Sequence, residues 1–308
     1  MQNLFWKLHG ETRTLIEQPF QSESEMEKYI YANPDLLGDV YIIYRQVKTG
    51  QKQGIPDMVG VDQDGRICII ELKNQSADEG ILPQALGYAI WAETNPDSIK
   101  AIWLESKQKP ENIGIDWDNL DIRLILVAPT YKSTVARMAG KIGYPIDLIQ
   151  IKRYMFEENE FVSVEYLEET SYPKVRTTKG VTEWDWGYYE SEHGRKAMAL
   201  VKQTVENIES YVKQKGWNLP FNINKYYVGF KFGNKVIFNV AWGGTYAWKL
   251  KFKIPKESAM DYRGTDWEFQ TYDEGFKEAI FRPLKESPDI RELERFFVEA
   301  YSKVSGIN

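Results

Sequence analysis

The stretch GIPDMVGVDQDGRICIIELKN, residues 54–74, constrains the fold more than any other part of this chain. Its second half contains the β-branched apolar run CIIEL, of the kind found in a strand buried on both faces, which needs a layer of structure above and below it. Asp62-Gln63-Asp64-Gly65 reads as a turn, so 55–62 and 66–73 read as the two arms of a hairpin. A hairpin returns on itself, which sets the start of its first strand beside the end of its second. Asp57 and Glu71 thus reach the same sheet edge despite fourteen residues of separation. Lys73, two residues after Glu71, shares its face by strand alternation.

The flanking sequence supplies the layers. Glu23, Met26, Glu27 and Ile30 share one face of a helix that Ser22 or Ser24 could cap and that Asn33-Pro34 ends, because a residue before proline avoids the helical region. A strand is expected at 40–47 and a helix over about 78–93, with Ile81, Leu82, Ala85, Tyr88 and Ala89 at helical spacing. A further helix at 97–107, a strand at 122–129, a helix at 133–142 and a strand at 146–154 complete the order. Hairpin strands followed by a right-handed crossover imply an α/β unit, a mixed sheet flanked by helices.

Two carboxylates a few ångströms apart repel each other unless a divalent cation neutralises them. Oxygen-only donors favour Mg²⁺ or Mn²⁺, ions that keep several waters. Such an ion acidifies its water, and a neighbouring lysine can orient that nucleophile and offset charge on a pentavalent phosphorane. Asp57, Glu71 and Lys73 therefore form a coherent site for phosphodiester hydrolysis. Taken alone, D-x13-E-x-K also arises by chance, with Asp57 ending a turn and the other two on the surface. Composition closes other routes. A single cysteine, Cys68, excludes disulfide scaffolds, zinc ribbons and CxxC motifs, and two histidines, His9 and His193, remove most His-based metal sites.

Pro56-Asp57 and Glu71-Leu72-Lys73 resemble the signature of the PD-(D/E)XK nuclease superfamily. SESEMEKYIYANPDLLG, residues 22–38, resembles the acidic first helix and NP-x-LL ending of NucS-like endonuclease domains, and the D-Q-D-G turn fits their short hairpin. Gln84 and Tyr88, in QALGY, are similar to the Q-x-x-x-Y motif of RecB-like nucleases. The resemblance covers about residues 20–155 and implies a restriction-endonuclease-like fold. It implies Asp57, Glu71 and the Leu72 carbonyl as ligands of Mg²⁺ or Mn²⁺, and Lys73 as the catalytic lysine. Glu23 would be the first-helix carboxylate, with Glu27 as competitor one turn on. Gln84 would position substrate backbone or the lysine, supported by Tyr88. NucS-like proteins place a DNA-binding domain ahead of the nuclease, where this sequence has the short stretch 1–20, so substrate preference is not carried over.

The second half differs in charge and pattern. Residues 1–165 carry 17 basic and 25 acidic side chains and residues 166–308 carry 22 and 20, so a net charge of -6 conceals a basic excess in the second half. From Ser210 to Lys256 there are nine lysines, twelve aromatics and no acidic residue. KYYVGFKF and KVIFNVAW flank Gly233-Asn234, a hairpin signal. In YAWKLKFKI, Trp248, Leu250, Phe252 and Ile254 point one way, and Lys249, Lys251 and Lys253 the other. Helices at about 191–216 and 290–304 would cover the apolar face, giving a C-terminal α+β domain with an antiparallel sheet. The lysine face suits phosphate contacts; it equally suits keeping a sheet soluble.

The expected organisation is a nuclease-like domain at 1–166, a polar linker at 167–187 and an accessory domain at 188–308. The expected function is a Mg²⁺-dependent deoxyribonuclease, endonucleolytic by the resemblance, with DNA as partner. The residues alone leave endo and exo cleavage, and DNA and RNA, open, and self-association into a homodimer open too. The alternative is a non-catalytic nucleic-acid- or partner-binding protein retaining a nuclease fold. No apolar run of about 18 residues or more predicts a membrane span, and no basic-then-apolar leader is visible, so a reduced cytoplasmic setting is expected.

Overall fold

The computed structural model of this 308-residue chain describes residues 4–8, 10–45, 56–107, 109–110, 113–167, 184–233, 235–243 and 248–306. The chain divides into two compact units, Met1–Ser106 with Ile115–Val181, and Lys107–Gly114 with Thr182–Asn308. Most of the expected linker, residues 168–183, lies outside the described residues.

The first unit begins with a small hairpin of β1 (Phe5–Leu8) and β2 (Glu11–Thr14). Its main sheet is built from β3 (Ile16–Glu17), β4 (Val40–Arg45), β5 (Met58–Asp62), β6 (Ile67–Leu72), β7 (Ile122–Ala128), β8 (Ile146–Phe156) and β9 (Asn159–Tyr166). The spatial order is β3-β8-β7-β6-β5-β4, with β9 also paired to β8. Strands β6, β7 and β8 run parallel and the other pairs antiparallel, so the sheet is mixed as the crossover pattern requires. The helices are α1 (Glu23–Ala32), α2 (Ile81–Thr94), α3 (Pro96–Glu105) and α4 (Ser133–Ala139).

Local chemistry explains why α1 starts and stops where it does. The Ser22 hydroxyl accepts the Glu25 N–H at 3.1 Å, and the Glu25 carboxylate reaches back to the N–H of Gln21 at 2.6 Å. Asn33 closes the helix and a 3₁₀ turn, Pro34–Leu37, follows. Met26 and Ile30 pack in one cluster with Cys68, Ile70 and Leu72 of β6 and with Ile125 and Val127 of β7. Burying side chains of this size stabilises by about 1.5–3 kcal/mol each. Helix α2 packs on β6 and β7 and buries Ile81, Leu82, Ala85, Ala89 and Ala92.

The hairpin that carries the candidate site is fixed by its turn. Asp62 Oδ1 accepts the N–H groups of Asp64 and Arg66, both at 3.0 Å, and Gly65 takes the left-handed φ of 78° that closes the loop. That turn sets the register Met58↔Ile70, which, continued by one residue, puts Asp57 opposite Glu71. Elsewhere the structure departs from the sequence reading. Strand β8 runs to Phe156 and returns as β9 through a turn in which Glu157 has a φ of 54°. The helix expected over 133–142 stops at Ala139.

The second unit contains α5 (Trp186–His193), α6 (Arg195–Gln214), β10 (Phe221–Ile223), β11 (Tyr227–Phe232), β12 (Lys235–Trp242), β13 (Trp248–Phe252), α7 (Lys256–Met260), β14 (Trp267–Asp273), β15 (Glu278–Pro283) and α8 (Glu294–Ser305). The six strands form an antiparallel sheet in the order β10-β11-β12-β13-β15-β14. The single helix expected over 191–216 is two, broken at Gly194, whose φ of 85° ends α5. Trp248, Leu250, Phe252 and Ile254 alternate into a core with Val201, Val205 and Ile208 of α6 and Phe296 and Phe297 of α8. Residues 107–114, far away in sequence, belong to this unit. A Cβ at Gly275 would lie 2.5 Å from Pro110 Cδ, so that position admits little beyond glycine, and the Tyr226 hydroxyl donates to the Gly114 carbonyl at 3.3 Å. Among the described residues, no helix is long and apolar enough to cross a membrane.

Candidate active site

Four of the singled-out side chains converge at the end of the β5–β6 hairpin away from its turn. Asp57, only 8 % exposed, accepts the Leu72 N–H on Oδ2 at 2.8 Å, a bond that holds the carboxylate across the strand end. Glu71, 1 % exposed, accepts a hydrogen bond from Lys73 Nζ on Oε1 at 2.9 Å. Its other oxygen, Oε2, is buried with no hydrogen-bond partner. Lys73 Nζ also lies 3.6 Å from Glu23 Oε1, which brings the first turn of α1 to the site. The N–H of Lys73 donates to the Val127 carbonyl at 2.9 Å, extending the β6–β7 pairing past Leu72 and fixing the lysine's backbone.

Electrostatics follow from this crowding. Burial first, and the nearby Asp57 charge second, push the Glu71 carboxyl up to about 7, against the pull of Lys73. Burial alone would lower the Lys73 ammonium, but Glu71, with Glu23 and Asp57, outweighs it and the net shift is upward. Lys73 is therefore a proton donor and a positive charge here, not a free base.

Glu23 and Glu27, inseparable by sequence, have different partners. Glu27 is buried and pairs with Arg45, Nε to Oε1 at 3.3 Å, while Glu23 faces Lys73. Gln84 and Tyr88 sit one turn apart on α2, and the hydrogen bond Gln84 makes is to the Tyr88 hydroxyl, at 3.1 Å. In the second unit, Lys249, Lys251 and Lys253 alternate with buried neighbours as expected. Lys251, however, is 15 % exposed, with Nζ 3.6 Å from Oε2 of buried Glu278 on β15, so its charge is already engaged. Sequence reading gave no role to Asn74, whose Nδ2 donates to the Phe20 carbonyl at 3.3 Å, or to Arg153. The only signal for Asn74 is its place directly after the E-L-K run.

The donor set suits a hard divalent cation. A buried carboxylate oxygen without a partner, next to a second carboxylate, is the arrangement a positive ion relieves. Among the described residues no three His, Cys, Asp or Glu side chains surround one point. An ion here would take Asp57 and Glu71, a main-chain oxygen such as that of Leu72, and water, which fits Mg²⁺ or Mn²⁺ better than zinc.

Over part of its length the chain is similar to known endonucleases. It is 30% identical over 123 residues to endonuclease NucS of Pyrococcus horikoshii, covering 40% of this chain and 39% of that protein. It is 31% identical over 123 residues to endonuclease NucS of Pyrococcus abyssi, again covering 40% and 39%. A crystal structure of a repair endonuclease from Pyrococcus abyssi matches with 30% sequence identity, covering 44% of this chain and 49% of that one, at a TM-score of 0.29. The chain thus spans about two-fifths of the length of the curated relatives it matches, 39% in both. No family model matches it. The NucS-like character expected from the sequence is thus met by similarity to named endonucleases over 123 residues.

Proposed function

We propose that this protein is a metal-dependent nuclease that hydrolyses DNA phosphodiester bonds. The observation that carries the reading is the buried Glu71 carboxylate, with one oxygen bound by Lys73, the other without a hydrogen-bond partner, and the Asp57 charge beside it. Similarity to endonuclease NucS over 123 residues supports DNA as the substrate and endonucleolytic cleavage as the mode.

Asp57, Glu71 and the main-chain oxygen of Leu72 would hold Mg²⁺ or Mn²⁺. Bound there, the ion would acidify a water and neutralise charge on the scissile phosphate. The remaining work belongs to the chain's own groups. Lys73, kept protonated by Glu71 and Glu23, presents a fixed ammonium to the negative charge that develops on the phosphate oxygens. Glu23 holds that ammonium from the α1 side, and the Leu72 N–H fixes the Asp57 carboxylate so that it does not rotate out of place. Gln84, tied to Tyr88, would position substrate backbone from α2.

The test is a panel of duplex, single-stranded and branched DNA with Mg²⁺ or Mn²⁺. Wild type is expected to cleave at least one form, and Asp57→Ala and Lys73→Ala to cleave none. Equal nicking by wild type and Glu71→Ala would sink the proposal. No cleavage, together with no Mg²⁺ or Mn²⁺ binding by calorimetry, would instead favour a non-catalytic binding protein.

A further inference from the structure

Arg153, near the end of β8, holds several groups at once, and among the described residues its hydrogen bonds and ion pairs do not include Asp57, Glu71 or Lys73. Its Nη1 donates to Glu25 Oε1 at 2.9 Å, its Nε to the Gln18 carbonyl at 3.1 Å and its Nη2 to the Pro19 carbonyl at 3.3 Å. The guanidinium lies over the Phe20 ring, 4.4 Å from the centroid. Its own main-chain carbonyl accepts the Gln18 N–H at 2.8 Å. The Arg153 side chain is itself only 11 % exposed, although Gln18 and Pro19 lie at the surface and Glu25 is 37 % exposed.

Its hydrogen-bond partners belong to residues 18–25, the segment that leads into and begins α1, and Nη1 also lies 3.9 Å from Glu160 Oε2 on β9. Glu25, held by Arg153 on one oxygen, is held on the other by the Gln21 N–H at 2.6 Å. Phe20, just before Gln21, has a carbonyl that accepts from Asn74, the residue after Lys73. Glu23, the first residue of α1, emerges from this clamped segment with its carboxylate 3.6 Å from the Lys73 ammonium. We infer that Arg153 is a positioning residue: its planar fork fixes the entry into α1 and thereby sets Glu23 against Lys73. The inference rests on the nuclease reading only for its kinetic consequence; the clamp itself does not depend on it. Lysine cannot substitute, because a single ammonium supplies neither the fork nor the stacked face.

The experiment combines kinetics with hydrogen exchange on the full chain. Arg153→Met is expected to lower kcat about 10–100-fold with KM within about twofold, the size expected for a small misplacement of catalytic groups. Arg153→Lys is expected to keep the melting temperature close to wild type yet recover little of kcat. In a Glu23→Gln background, Arg153→Met should lower kcat no further, because its effect runs through Glu23. Both Arg153 variants should raise amide exchange over 18–27 while leaving β5, β6 and β7 protected. Additive losses in the double variant, or full kcat in Arg153→Lys, would overturn the inference while wild-type cleavage left the nuclease reading standing. Unchanged exchange over 18–27 would overturn it whether or not the wild type cleaves. A wild type that cleaves nothing would sink the function, and the exchange result would still decide the clamp. Should Arg153→Met fail to fold, Arg153→Lys and Glu25→Gln carry the same readouts.

Discussion

The two ends of the β5–β6 hairpin both gather acidic side chains, and they treat them in opposite ways. At the turn, Arg123 donates from Nε to Asp147 at 2.6 Å and from Nη1 to Asp62 at 3.2 Å, tying β5, β7 and β8 together. Arg66 joins the same group, 3.3 Å from Asp64 and 3.4 Å from Asp121, while Asp62 also accepts two backbone N–H bonds. At the other end Asp57, Glu71 and Glu23 cluster around the Lys73 ammonium, and one buried Glu71 oxygen has no hydrogen bond. This sheet is therefore capable of satisfying buried carboxylates, and does so only five residues of strand away. The deficit at the open end is a local property of the site, and a buried carboxylate oxygen without a hydrogen bond is an arrangement that a positive charge would relieve.

Neutralising Glu71 gives the sharpest contrast. Glu71→Gln keeps shape and the contact to Lys73 but removes the charge that burial disfavours. Cleavage with Mg²⁺ is expected to fall by at least about 10³-fold. The melting temperature in chelator at pH 8 should rise, since the variant no longer buries a charge next to Asp57. A variant that lost both activity and stability would show that the two ends are alike. The mirror change at the turn, Arg123→Met, removes the guanidinium that Asp147 faces and leaves Asp62 with Arg66 and its backbone bonds. It is expected to destabilise the first unit by about 3 kcal/mol in urea denaturation, with cleavage close to wild type at temperatures where the protein stays folded.

How much of this was legible in the sequence depends on the range of the interactions. The hairpin and its carboxylate pair were legible because everything that fixes them is local: Asp62 caps its own turn, Gly65 closes it, and alternation then carries Glu71 and Lys73 to one side. Glu23 and Glu27 were not separable, because both sit on one helix face and only Arg45 and Lys73, from other strands, distinguish them. The β8–β9 hairpin was missed because its turn uses Glu157 rather than glycine at a positive φ. Alternation around Trp248–Phe252 gave the buried face correctly but could not show that Glu278, on β15, takes Lys251. Residues 107–114 carry no local signal that they pack with a unit whose other residues begin beyond 181.

Acid–base behaviour gives the open end a signature of its own. The Glu71 carboxyl titrates at about 7 in the folded chain, against an ordinary value of 4.5. Between those values the folded state holds more proton than the unfolded one, so stability in chelator is greatest below about pH 4.5 as far as Glu71 is concerned. It declines as pH rises toward 7 and then levels. The loss is expected to be on the order of 1–3 kcal/mol, and Glu71→Gln should flatten it. Denaturation midpoints from pH 5 to 8 in the two proteins measure this directly; parallel curves would mean that Glu71 is not the group responsible.

The smallest expected effect tests whether burial, not the number of ion pairs, makes the turn end stable. Asp121 faces Arg66 at 3.4 Å, but its side chain is 58 % exposed, and Arg66 is also within reach of the buried carboxylates of Asp62 and Asp64. Exposed pairs gain little, because water solvates both charges and the side chains must be ordered to meet. Asp121→Asn is accordingly expected to change stability by less than about 0.5 kcal/mol, against the about 3 kcal/mol expected for Arg123→Met in the same titration. A loss as large as that of Arg123→Met would mean that the charges at the turn act as one connected network. Exposure would then no longer decide which of its members matter.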